Sequence, residues 1–268
     1  MNNEEHIKLA LREDQYKKDV TTKLLLLKKD CKAILKAKET FYIYGLNWFK
    51  DVFKQVDKKT KVKTLINDGA YVKNNEIIAE IYGSNHSLLR SERVALNYLQ
   101  TMSGTYDLCI RFKKRVKNKK IKILHTRKTI PLFRRPLRDA CVAAGCMSHR
   151  EDLSAAVLIK ENHLQFAKDP NSLIQKAIKN NKTVVVEAKT LKFAKSLSRL
   201  KIDRILLDNF TSVMLKEFLS YKLKIKIEVS GSISLDNINR FALKGVDYIS
   251  IGALTKNIES KDLSMLIV

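Results

Sequence analysis

Residues 121–163, IKILHTRKTIPLFRRPLRDACVAAGCMSHREDLSAAVLIKENH, carry the reading on which the fold of this chain turns. Two short apolar runs, Ile121-Lys122-Ile123-Leu124 and Ala155-Ala156-Val157-Leu158-Ile159, have the length and composition of buried strands. Each stops abruptly in polar residues, Thr126-Arg127-Lys128 after the first and Lys160-Glu161-Asn162-His163 after the second, with His149-Arg150 between them. Cationic donors released at the carboxyl ends of buried strands are what an α/β protein needs to hold a small, multiply charged anion in a crevice.

Outward from this stretch the pattern repeats. Strand-like runs end near Thr126, Lys160, Glu187, Asp208, Ser230 and Ile251, separated by helical patterns at Leu132 to Ala144, Pro170 to Asn180, Leu191 to Leu200, Thr211 to Tyr221 and Leu235 to Lys244. Such alternation implies parallel strands joined by right-handed crossovers. Six strands fall short of the eight that close a (β/α)8 barrel, so the expected fold is α/β, with an open six-stranded α/β barrel over residues 113–268. Residues 1–112 read as an N-terminal α+β sandwich. Its expected elements are, over Glu5 to Leu26, an opening helix and then a turn at Lys18-Asp19-Val20-Thr21-Thr22 where Asp or Thr side chains can cap, strands at Cys31–Ala37, Thr40–Tyr44, Lys61–Leu65 and Ile77–Tyr82, and a short helix from Leu46 to Gln55. The longest helical pattern, Ser87 to Phe112, follows, and Ser103-Gly104 permits a break or close packing there. The last residues have the option of returning to this first domain.

Of the 268 residues, 45% are hydrophobic, enough for a real core, and 52 Lys+Arg against 28 Asp+Glu leave a formal charge of +24. That excess favours anionic partners, but most of it is lysine scattered over helical faces, so it does not choose among them. No apolar run approaches the roughly 20 residues that span a bilayer, and the N-terminus lacks a signal peptide's apolar core. The expectation is a soluble cytoplasmic protein without a membrane partner. Cys31, Cys109, Cys141 and Cys146 show no disulfide framework, and Cys141, Cys146 and His149 have poor spacing for zinc.

Collected by strand end, the polar residues divide by charge. The first two strands bring Arg127, Lys128, Lys160, Asn162 and His163, with Arg150 and His149 between them. The third and fourth bring Glu187, Lys189 and Asp208-Asn209, and the fifth and sixth bring Ser230-Gly231-Ser232 and Gly252-Ala253. Arg127 and Arg150 suit bidentate carboxylate contacts, and Lys128 and Lys160 act as point charges. Glu187 and Asp208 are hard oxygen ligands suited to Mg2+, which carboxylates commonly hold together with substrate phosphates. The Gly/Ser turns, expected to lead into helix N-termini, suit a phosphate.

Thr126-Arg127-Lys128-Thr129, His149-Arg150 and Leu158-Ile159-Lys160-Glu161-Asn162-His163 resemble the signature of the quinolinate phosphoribosyltransferase family, also called nicotinate-nucleotide pyrophosphorylase (carboxylating). The resemblance runs along nearly the whole chain, through Ser91-Glu92-Arg93-Val94-Ala95-Leu96-Asn97, Leu206-Leu207-Asp208-Asn209-Phe210, Glu228-Val229-Ser230-Gly231 and Gly245 to Thr255. It implies a homodimer in which Arg93 reaches the active site of the neighbouring subunit. It further implies that Arg127, His149, Arg150 and Lys160 bind the two quinolinate carboxylates, that Lys128 lies towards phosphoribosyl pyrophosphate, and that Glu187 and Asp208 serve the ribose and Mg2+. Ser230, Gly231 and Gly252 would take the 5'-phosphate. On this reading Lys128, Lys160, Glu187 and Asp208 are the catalytic group. The chain departs from the family pattern at His125, Leu132, Ala144-Gly145-Cys146, Asp152, Val185, Ser232 and Lys256, several of them places where the family carries glycine.

Two other readings bear on function. A molybdenum-transport-associated paralogue shares the implied fold, and the Ile159-to-His163 run speaks against it. A basic nucleic-acid-binding protein on the same scaffold would need aromatic-basic interleaving, which this sequence lacks, so no nucleic-acid partner is expected.

Overall fold

The computed structural model describes residues 2–180 and 183–268. The chain divides into two compact units, Met1–Leu108 with Ile258–Val268, and Cys109–Asn257. In the first unit α1 (Asn3–Glu13) opens on a capping box, with Asn2 Oδ1 accepting from the Glu5 amide and Glu5 Oε2 from the Asn2 amide, both at 2.8 Å. The opening helix ends at Glu13, ahead of the expected capped turn at Lys18 to Thr22. Gln15 adopts a left-handed φ of 51°, Tyr16–Lys18 form a 3-10 turn, and α2 (Val20–Lys23) restarts where the Asp19 carboxylate accepts from the Thr21 and Thr22 amides.

The elements that follow are β1 (Asp30–Ala37), β2 (Phe41–Tyr42), α3 (Leu46–Val56), β3 (Lys61–Thr64), β4 (Tyr71–Val72), β5 (Ile77–Ser84) and α4 (Asn85–Arg115). The last strand of the chain, β13 (Leu263–Ile267), pairs antiparallel with β1 and gives a sheet of order β13-β1-β5-β3, so the C-terminal residues do return to this unit. Ile7 and Leu11 of α1, Trp48, Phe49 and Phe53 of α3, and Leu88, Leu99 and Met102 of α4 are buried with the inward side chains Ala33, Leu35, Ile78 and Ile81. α4 passes through Ser103-Gly104 without a break.

In the second unit the elements alternate: β6 (Lys122–His125), α5 (Arg134–Ala143), β7 (Met147–Ser148), β8 (Val157–Ile159), α6 (Glu161–Gln165), α7 (Pro170–Lys179), β9 (Val184–Ala188), α8 (Leu191–Leu197), β10 (Arg204–Asp208), α9 (Ser212–Ser220), β11 (Lys226–Ser230), α10 (Ile238–Phe241), β12 (Tyr248–Ile251) and α11 (Ala253–Lys256). Every strand pairing is parallel, in the order β7-β6-β12-β11-β10-β9-β8. All six expected strands are present. A seventh, β7, adds two residues beside β6, too short for any alternation to betray it. β7 and β8 do not pair, so the curled sheet stays open between them. Cys109, Cys141 and Cys146 are buried free thiols, with the Cys109 and Cys141 sulfurs 3.7 Å apart. No helix among the described residues is long and apolar enough to cross a membrane.

Gly104 sits where α4 meets the backbone of Glu259: an added Cβ would lie 2.9 Å from that carbonyl carbon and closer still to its oxygen. Alanine favours a helix interior over glycine by about 1 kcal/mol, yet this clash is expected to outweigh that gain, and Gly104→Ala should lower stability by about 1–3 kcal/mol. Chemical denaturation measures it, and a variant as stable as the parent would contradict the close approach.

Candidate active site

A parallel sheet delivers the carboxyl ends of all its strands to one edge. The period of two then sorts side chains by face. The register places Glu187 beside Leu206 and Leu206 beside Glu228, with Asp208 beside Ser230 and Ser230 beside Ser250. Glu187, Arg204, Asp208, Glu228, Ser230 and Ser250 therefore share one face, a polar lining inside otherwise apolar strands.

At the rim of that face, Lys160 Nζ lies 2.6 Å from Glu187 Oε2, and Glu187 is only 8% exposed. Asp208 is half-buried, and its carboxyl is pushed above the usual range by burial first and by the Glu187 charge second; Lys160, Lys189 and Lys128 oppose the shift. These groups share one electrostatic cluster, with Lys189 also paired to Glu161. Among the described residues no three His, Cys, Asp or Glu side chains are arranged to hold a metal ion. Two carboxylates beside lysines fit Mg2+ only where substrate phosphates complete its coordination.

The loop after β6 is tied down by buried Thr255, whose hydroxyl donates to the Lys128 carbonyl at 2.7 Å and the Thr126 carbonyl at 3.4 Å. The Lys128 stem passes Gly252, with Cδ 3.4 Å from where a Cβ would stand. Arg127 Nε is buried and has no hydrogen-bond partner, while Arg150 donates from Nη1 to the Ala156 carbonyl at 3.3 Å. Burial and then the nearby Arg127 charge lower the Arg150 pKa, against the pull of Asp152. Two neighbouring guanidiniums with so little neutralisation make a receptor for anionic oxygens.

The turn after β11 has room only for glycine at 231, with φ 107° and an added Cβ falling 2.8 Å from the Asn209 nitrogen. Asn209 (φ 55°) and Ser232 (φ 48°) are also left-handed, and the Asn209 amide donates to the Ser230 carbonyl at 2.8 Å. The expected helix N-termini are not there in useful form. α10 has four residues and begins only at Ile238, and α11 is also four residues long. A phosphate here would rely on backbone amides of the turns, since a single helical turn sums little dipole.

His149 is not a surface loop residue. Its side chain is 8% exposed, and Nε2 lies 3.2 Å from Oε1 of the fully buried Glu228, close enough for an ion pair but outside hydrogen-bonding geometry. Glu228 accepts from Arg204 Nε at 2.5 Å and from the Ser250 hydroxyl, and Arg204 Nη2 donates to the His149 carbonyl at 3.3 Å. Burial, then Arg204, Arg150, Lys160 and His125, push the His149 pKa down to about 3. Arg204, Glu228, Ser250 and Thr255 were not among the expected site residues. The first three were legible from alternation, since charged or hydroxyl side chains at these positions keep the same phase as Asp208 and Ser230. Thr255 had no such signal.

The structure thus gathers Arg127, Lys128, His149, Arg150, Lys160, Glu187, Asp208, Ser230, Gly231 and Gly252 at the strand-end edge or the loops leaving it. Arg93 is exposed on α4, in the other unit. The departures from the family pattern are accommodated locally. Leu132 is exposed at φ 61°, Gly145 keeps φ 79°, and Val185 is buried in β9. The Asp152 carboxylate accepts from the Ser154 and Ala155 amides at 2.8 and 3.1 Å, closing its own turn.

Comparison with known proteins agrees with this geometry. The family models for the N-terminal and C-terminal domains of quinolinate phosphoribosyl transferase match residues 19–103 and 107–266. A probable nicotinate-nucleotide pyrophosphorylase [carboxylating] of Methanocaldococcus jannaschii is 34% identical, over 98% of this chain and 96% of its own length. The nicotinate-nucleotide pyrophosphorylase structure from Francisella tularensis superposes with a TM-score of 0.91 at 34% identity, covering 100% of this chain and 98% of that one. The Ehrlichia chaffeensis structure gives 0.94 at 30%, covering 100% and 99%. Matched along both units by sequence and by backbone, this chain belongs to the quinolinate phosphoribosyltransferase family.

Proposed function

We propose that this protein transfers the phosphoribosyl group of phosphoribosyl pyrophosphate to the ring nitrogen of quinolinate and releases pyrophosphate and CO2, forming nicotinate mononucleotide for NAD biosynthesis. The observation that carries this reading is the juxtaposition, along one sheet edge, of the partly neutralised guanidiniums Arg127 and Arg150 with the Lys160–Glu187 pair and Asp208. The dicarboxylate would lie against Arg127, Arg150 and Lys160, which fix the ring and bring its nitrogen to the anomeric carbon. Glu187 and Asp208 face the cationic centre that develops as the C–O bond to pyrophosphate breaks. Lys128 lies towards the leaving group, and the Ser230-Gly231 and Gly252 turns offer amides to the 5'-phosphate. Glu187 and Asp208 would hold Mg2+, which would supply charge neutralisation to the leaving group. After transfer, the carbon that loses CO2 adjoins a cationic ring nitrogen, and the Arg and Lys side chains add to that stabilisation. The molybdenum-transport and nucleic-acid readings are not favoured, because relatives named for the pyrophosphorylase reaction span the whole chain.

Arg93, exposed on α4, is proposed to complete the site of a second subunit, as the family resemblance implies. Purified protein with Mg2+ should consume quinolinate and phosphoribosyl pyrophosphate with matched release of pyrophosphate and CO2; no release of either would remove the assignment. Arg127→Ala should raise KM for quinolinate about 10- to 100-fold, the size of a lost charge-assisted contact, with a smaller change in kcat. An unchanged KM takes Arg127 out of the carboxylate clamp. Arg93→Ala and Lys160→Ala proteins, each depleted in activity, should recover part of it when mixed and allowed to exchange subunits, because one of the two sites in a heterodimer is then intact. Failure of every mixture to recover activity would count against sharing.

A further inference from the structure

The buried group beneath the rim has no part in the reaction as derived so far. Glu228 is completely enclosed, and a buried carboxylate costs several kcal/mol unless it is paired and hydrogen-bonded. Arg204 and Ser250 supply that pairing. They do not account for the third side chain at the carboxylate, His149, whose Nε2 stands 3.2 Å from the oxygen that Ser250 also contacts. Burial pushes the Glu228 carboxyl up, while Arg204 and Ser250 pull it back towards the anion; beside that carboxylate the proton of a neutral His149 belongs on Nε2, the ring nitrogen nearer to it. Nδ1 is then left as a lone pair.

A lone pair on Nδ1 repels a carboxylate. A dicarboxylate lying against Arg150 and Lys160, as the proposed function has it, also lies beside His149, and the imidazole must then gain a proton as the ligand enters. We propose that Glu228, braced by Arg204 and Ser250, is a positioning residue that keeps His149 Nε2 turned into the barrel and lets the ring take a proton from solvent onto Nδ1 when the dicarboxylate binds.

The charges around His149 set the direction. Those facing it are Glu228 from β11, Arg204 from β10, Arg150 beside it in its own loop, Lys160 at the end of β8 and His125 on β6. In the free protein three of these are fixed cations against one carboxylate, and the ring is buried, so it stays neutral at physiological pH. Two ligand carboxylates would offset Arg150 and Lys160, leaving Arg204 and Glu228 to balance one another, so the cationic bias that keeps the ring neutral is lifted while the ligand charge itself favours the imidazolium. A group whose pKa rises on binding takes up a proton, so affinity for the dicarboxylate falls as pH rises through the ligand-bound value, by up to about tenfold per pH unit.

This inference rests on the quinolinate reading, and one experiment separates the two. Quinolinate is titrated into the protein by calorimetry at about pH 7.5, above the carboxylate range, in two buffers of different ionisation enthalpy, which yields the number of protons exchanged. The expected result is a net uptake of a measurable fraction of a proton in the parent protein and none in His149→Gln. Glu228→Gln keeps the shape and an acceptor for Arg204 but removes the charge, and should lose most of the uptake with weaker binding; a melting curve reports whether it folds. Ser250→Ala removes the donor to the Glu228 oxygen nearest His149 but leaves the Arg204 pair intact, and should lower the uptake less than Glu228→Gln does. Quinolinate binding without uptake, or equal uptake in His149→Gln, overturns the inference and leaves the functional reading standing. No binding heat in any buffer takes down both.

Discussion

The rest of this structure depends on a parallel sheet releasing its strands in one direction. Parallel pairing forces the residues after β6, β8, β9, β10, β11 and β12 onto one edge, whatever their charge. Here they include Arg127, Lys128, Lys160 and Lys189 on one side and Glu187 and Asp208 on the other. Neutralisation is partial. Lys160 meets Glu187 and Lys189 meets Glu161, but the Arg127 charge lowers the Arg150 pKa rather than neutralising it, and Asp208 is held above its usual pKa. An edge of this kind stores electrostatic strain, which is how a binding site is preorganised without being collapsed.

Beneath the edge the strategy is the opposite. Glu228, Arg204 and Ser250 are paired inside the curled sheet with short contacts and almost no exposure. Such a pair is a poor source of stability, since desolvation offsets most of the attraction. Its value lies in direction, because it determines where a charge points among apolar strands. His149 is the link between the two layers, reached by Glu228 from below and by Arg150 and Lys160 from the rim.

The loops show how far the backbone plan tolerates changes of side chain. Leu132 and Ser232 hold left-handed conformations without being glycine, each at a cost of about 1–2 kcal/mol. Gly231 has no such latitude, because the Asn209 backbone occupies the space a side chain would need. Asp152 turns a lost glycine into a capped turn by accepting from two backbone amides. The conformation of this edge is thus imposed by the sheet, and the loop residues adapt to it.

By itself the sequence determined the periodic architecture and the chemistry along it. Apolar runs ending in Arg127, Lys160, Glu187, Asp208, Ser230 and Gly252 announce six parallel strands and the edge where their polar ends collect, since burial and the period of two act locally and leave their mark in residue order. The end of the first helix at Glu13, the two-residue β7 and the passage of α4 through Gly104 were decided elsewhere. A left-handed Gln15, pairing to β6 and contact with the Glu259 backbone, respectively, are what distinguish them. Only the tertiary structure decided that His149 is buried against Glu228, that Thr255 clamps the Lys128 loop, and that the phosphate turns lack long helices behind them. Those outcomes depend on distances between residues far apart in the chain, and spacing along a sequence does not encode such distances until the sheet has curled.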